Sequence, residues 1–176
     1  MTTQARAAVA GAVWPIPPER MAEVDLEKAA WTEISELIAM LTPQERLAPG
    51  YFVDPVWSVK DLVGHIRAWQ VEARQQLIDI GARSYRPRDI DIDDRNAEVL
   101  HALRGEPWER VWDRAVAARS WFLEAWFQLR EPDDVAAQWV RKAGAEHYAE
   151  HLPRLRVWVS ELIGLRVRPP LDERDP

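Results

Sequence analysis

Apolar residues recur at helical spacing through most of the 176-residue chain and nowhere alternate for more than a few positions. That pattern dictates amphipathic helices and leaves no material for a sheet. Four long stretches carry it. The first is expected to start at Asp25, a residue type suited to an N-cap, with Ala30, Ile34, Leu37, Ile38 and Leu41 on one face. The second opens at Ser58, three residues before Asp61 in a capping-box pattern. Its stripe is Leu62, His65, Ile66, Trp69, Ala73, Leu77 and Ile80, closed by Gly81. The third follows Pro107, with Val111, Ala115, Ala118, Phe122, Ala125 and Leu129 on its face, and ends at Glu131-Pro132. The fourth covers 143–163, with His147, His151, Leu155, Trp158 and Leu162 in line. Pro153 removes one backbone N–H there and predicts a kink just after the histidines.

Shorter signals fill the gaps. Thr42-Pro43-Gln44-Glu45 is a capping box that starts a short helix, and Ala48-Pro49-Gly50 ends it. Residues 82–95 are a polar connection, and a short helix over 96–104 is stopped by Gly105. The expected architecture is an all-α four-helix bundle over 21–165, with a long second connection carrying its own helix. A flexible arm (1–20) precedes it and a polar, Pro-rich tail (166–176) follows.

Composition narrows the function classes. The absence of cysteine excludes disulfides, thiolate metal sites and cysteine nucleophiles. A net charge of −6 without a basic cluster argues against a surface that tracks nucleic-acid phosphates. No apolar run approaches the roughly 18–20 residues that span a bilayer. The run from Ala7 to Val13 is too short and Ala-rich for a signal segment, so a cytoplasmic location is expected. Trp occurs ten times, against three Phe and three Tyr. That excess builds either a Trp-heavy core or a Trp-lined pocket, for which Trp57, Trp69 and Trp158 are the candidates.

The chain has four histidines, and three fall on core-facing stripes. His147 and His151, at i and i+4, share one helix face, a spacing by which one helix offers two nitrogens to one ion. His65 lies on the apolar face of another long helix. A buried imidazole without a partner costs on the order of 1–3 kcal/mol, whereas one divalent ion satisfies three at once. Three protein nitrogens also leave a fourth tetrahedral position open. Each histidine taken singly reads as a hydrogen-bonded core or boundary residue; their concurrence favours the metal.

Other constellations are incomplete. Glu98 and His101 form one E-x-x-H, but a di-iron bundle needs two copies and two further glutamates, so His101 reads as a surface or boundary residue. Asp89, Asp91 and Asp93 open like a calcium loop, yet Asp94 replaces its glycine and Leu100 its terminal glutamate. Asp61, one turn before His65, could orient that imidazole or serve only in the helix cap. Glu146 and Glu150, about 100° around the helix from their histidines, are expected to face solvent or a neighbour.

Two segments carry a family resemblance. The segment from Trp57 to Trp69 (WSVKDLVGHIRAW) resembles the second-helix motif of the DinB/YfiT-like metalloenzyme superfamily, and that from His147 to Trp158 (HYAEHLPRLRVW) its last-helix motif. Arg95-Asn96-Ala97-Glu98-Val99 is similar to a segment of the branch containing the N-terminal domain of mycothiol-dependent maleylpyruvate isomerase, with ClbS/DfsB-type proteins as relatives. The resemblance spans 22–165. It implies a DinB-like, often homodimeric four-helix bundle with zinc or nickel on His65, His147 and His151. It also implies chemistry on a low-molecular-weight thiol such as mycothiol, and assigns Arg95 to substrate binding. His147 stands where the isomerase has a glutamate, and the isomerase's further C-terminal domain has no counterpart here, so only the metal-binding bundle carries over.

Three readings of function follow. The first is a metal-dependent transferase or isomerase-like enzyme joining a thiol to a small electrophile. The second is a non-catalytic bundle that binds or sequesters a small molecule. The third is a dimer whose metal site is structural.

Overall fold

A computed structural model describes residues 18–167; most of the expected arm and tail lies outside the described residues. Among the described residues, the regular structure is helical apart from one small hairpin. Its elements are α1 (Pro18–Ala39), α2 (Pro43–Leu47), β1 (Phe52–Val53), β2 (Val56–Trp57), α3 (Val59–Gly81), α4 (Ile92–Leu103), α5 (Trp108–Gln128), α6 (Asp134–Ala143) and α7 (Ala145–Val167). α3 packs along α5, α1 along α7, and α6 bridges α3 and α7. Among the described residues, no helix is long and apolar enough to cross a membrane.

The local signals act as chemistry requires. The Thr42 and Ser58 side chains accept from the N–H groups of Glu45 and Asp61, and both carboxylates return the bond to the cap backbone. Two N–H groups that a helix start leaves unpaired are thereby satisfied at each. The expected stripes are the core: Ile34, Ile38, Leu62, Ile66, Leu77, Val111, Phe122 and Leu155 are each at most 2% exposed. Each such side chain contributes about 1.5–3 kcal/mol by leaving water.

The structure corrects several boundaries. α1 begins at Pro18, inside the expected arm and seven residues before Asp25. The cause is tertiary: Arg20 is buried, donates to the carbonyls of Trp126 and Leu129, and lies over the Trp126 ring. It satisfies carbonyls left open by the end of α5. α6 was not anticipated. Asp133 caps it, and it buries only the small face of Ala136, Val140 and Ala143. Gly144 separates it from α7, because a Cβ there would sit 2.8 Å from the Val140 carbonyl oxygen and 3.0 Å from Glu27 Cγ. α7 runs through Pro153 to Val167, beyond the expected start of the tail. The hairpin, pairing Phe52 with Trp57 and Val53 with Val56, is too short to leave an alternating signature.

One buried polar network sets the heights of four helices. Glu27 on α1 is fully buried and accepts from Arg119 Nε on α5 at 2.7 Å, from Arg119 Nη2, and from the Tyr148 hydroxyl on α7 at 2.9 Å. Gln70 on α3 donates to that hydroxyl at 2.6 Å. Trp31 lies beneath the Arg119 guanidinium and stacks on Trp112, which stacks on Trp108. Removing any member strands a buried polar group, so the network fixes one register of α7 against α3.

Candidate metal centre

That register brings the three histidines together. His65 comes from the second turn of α3, and His147 and His151 from successive turns of α7. The His147 Nε2 lies 2.8 Å from His65 Nε2 and 3.2 Å from His151 Nε2. One ligand atom from each ring lies within 4.8 Å of the others, so the trio could hold a metal ion.

The outer nitrogens determine which form the rings take. His65 Nδ1 donates to the Asn96 side-chain oxygen at 2.9 Å. Tyr51 donates its hydroxyl proton to the His151 carbonyl at 3.2 Å, so its oxygen accepts from His151 Nδ1 at 3.3 Å. Both rings therefore carry their proton on Nδ1 and turn an Nε2 lone pair to the centre. His147 lacks such an orienting partner: its Nδ1 is buried with no hydrogen bond. Burial, reinforced by the charge of His151, holds the His65 imidazole down to about 4, with Asn96 opposing. Burial alone brings His151 to about 4. For His147, burial and then the two neighbouring rings push it well below the ordinary value. All three are neutral imidazoles at neutral pH, the form that ligates a metal. An aromatic shell surrounds them, with Trp57 tilted against His65 at 5.0 Å and Phe52 near His151 at 6.3 Å.

A cavity of about 650 Å³ opens onto the trio. Trp57 and Trp69 line it, with Phe52 and Trp139. Trp158 does not line it. Its ring packs under Gly50, where a Cβ would approach to 2.8 Å, and is covered by the Arg154 guanidinium. Gly50 has φ +120, a conformation that favours glycine, so the loop can approach this ring closely. Arg154 also donates to the carbonyls of Gly50 and Tyr51, tying the hairpin's approach to α7.

Other expected residues fall elsewhere. Asp61 is occupied by the Ser58 backbone and hydroxyl, at 2.8 and 2.7 Å, so it acts in the helix cap and Asn96 orients His65. Arg95 pairs with Glu98 and faces a separate groove with Arg67, Val99 and Arg114. Its neighbour Asn96 faces the cavity, a turn of about 100° around α4. His101 is exposed. Glu146 and Glu150 are exposed and stand at the cavity rim. Reasoning from sequence missed Tyr51, Arg88, Trp139 and Lys142; none belongs to a motif, and only the fold brings them to the site.

The chain matches no family model, no curated protein and no solved structure.

Proposed function

We propose that this protein is a divalent-metal-dependent enzyme with a DinB-like four-helix bundle, acting as a thiol-dependent S-transferase or isomerase on a small electrophile. The observation that carries this is the convergence of three Nε2 atoms at the floor of an aromatic cavity, two of them aimed by Asn96 and Tyr51. His65, His147 and His151 would hold zinc or nickel. A divalent ion there would keep a coordinating thiol, such as mycothiol, as thiolate near neutral pH. The chain itself supplies the rest: Asn96 and Tyr51 keep the ligand tautomers, Trp57 and Phe52 keep water from the rings, and the open cavity admits the second reactant.

The test is metal content. Zinc or nickel should bind at one ion per chain, and a His147→Ala, His151→Ala double variant should lose it. Negligible metal after incubation with both ions overturns the reading. The aromatic walls also suit a sequestering protein without turnover. A screen pairing thiols with electrophiles, with and without chelator, separates the two: turnover that chelation abolishes belongs only to the enzyme.

A further inference from the structure

Charged side chains of both signs line the cavity. Glu150, next to His151 in sequence, and Asp54, just past β1, are carboxylates. Glu146 is there too but pairs with Arg141 at 3.4 Å. Two cations line the same cavity. Lys142, at the end of α6 before the Gly144 break, lines it and has no ion pair among the described residues. Its natural i+4 partner on a continuous helix is Glu146, which Arg141 has taken. Arg88 enters from the α3–α4 connection and is held by Glu72 of α3. Glu72 is itself fixed by Gln76 at 2.6 Å. Glu72 lies seven residues beyond His65, about 10 Å of helical rise along α3. Trp69 and Trp139 line the cavity as well.

We infer that Arg88 and Lys142 bind an anion in this cavity, and that its ligand is an amphipathic small molecule bearing a carboxylate or similar anion. An ammonium without a partner and a guanidinium already braced by a carboxylate cost little to reorganise around an incoming anion. The tryptophans cover the ligand's apolar body. The inference rests on the cavity being a small-molecule site, as proposed above, and not on the ion.

The experiment compares 4-phenylbutyrate with its neutral amide, 4-phenylbutyramide, and with 4-phenylbutylamine, by quenching of Trp emission in the full chain. It is run first in EDTA-stripped protein and then with zinc. The acid should bind the stripped protein at least fivefold more tightly than the amide, and the amine no more tightly than the amide. The preference should weaken with salt. Lys142→Met and Arg88→Met, together, should bring the acid to the affinity of the amide and leave the amide unchanged. Equal binding of acid and amide, or a preference that survives the double variant, overturns the subsite. A preference seen only with zinc puts the carboxylate on the ion and overturns it too, while the metal reading stands. A preference in protein that takes up no zinc upholds the subsite and sinks the metal reading.

Discussion

Replacing Glu27 with alanine tests the claim that one buried network pins the four helices. Glu27 has no exposed surface, and Arg119 directs two nitrogens at it while remaining largely covered. Losing one partner of such a pair costs roughly 3–5 kcal/mol, because the remaining charge stays buried without compensation. The Tyr148 hydroxyl loses its acceptor as well. With a urea dependence of about 2 kcal/mol/M, the unfolding midpoint should fall by about 2 M. Exchanging both charged residues for apolar ones, Glu27→Leu with Arg119→Met, should recover most of that loss, since no orphaned charge remains. Glu98→Ala, which breaks an exposed pair with Arg95, should cost at most about 1 kcal/mol. Urea melts followed by circular dichroism read all three. A Glu27→Ala loss below about 1 kcal/mol would refute the reasoning, and so would a double variant as damaged as the single one.

Asn96→Ala should weaken zinc binding about 10–100-fold in calorimetric titration, whereas Asp61→Ala should cost about 1 kcal/mol of stability and leave zinc affinity intact. The reverse ranking would return Asp61 to the site. Gly64→Ala would place a Cβ 2.1 Å from Leu103 Cδ1, in a buried contact between α3 and α4. Overpacking of this kind costs about 1–3 kcal/mol, so the thermal midpoint should drop; no change would mean that the α3–α4 contact is loose. Glu45 is held down to about 2, first by Arg166 and then by Thr42. A carboxylate depressed in the folded state stabilises above its unfolded value of 4.5 and loses that contribution as pH falls toward 2. The Glu45 carboxyl should therefore titrate by NMR near 2, and Arg166→Ala should raise it toward 4.5; an unshifted midpoint would dissolve the ion pair.

Period and caps made the long helices legible because a buried face must repeat with the helix turn. Thr42 and Ser58 announced two helix starts for the same local reason. The site was half legible. The paired spacing of His147 and His151 on a core stripe is a property of one helix, and His65 broke an otherwise apolar face. What closes the site is nonlocal. Tyr51 reaches His151 across 100 positions, and nothing around residue 51 signals that bond. Arg95 and Asn96 are adjacent in sequence but face different grooves, a difference that a linear motif does not encode. α6 escaped notice because it is short, its buried face is two alanines and one valine, and it follows closely on the helix-ending Glu131-Pro132. Arg20 shows the opposite failure, in which a distant carbonyl lengthens a helix past its local start signal.

The backbone break at Gly144 divides the long wall of the cavity between two rods. His147 and His151 ride on one, a single turn apart, and their spacing is immune to events on the other. Trp139 and Lys142 ride on the second, where substitution can reshape what the molecule grips without detuning the imidazoles. A designer seeking new selectivity in this scaffold should therefore mutate ahead of the seam and leave the residues after it alone.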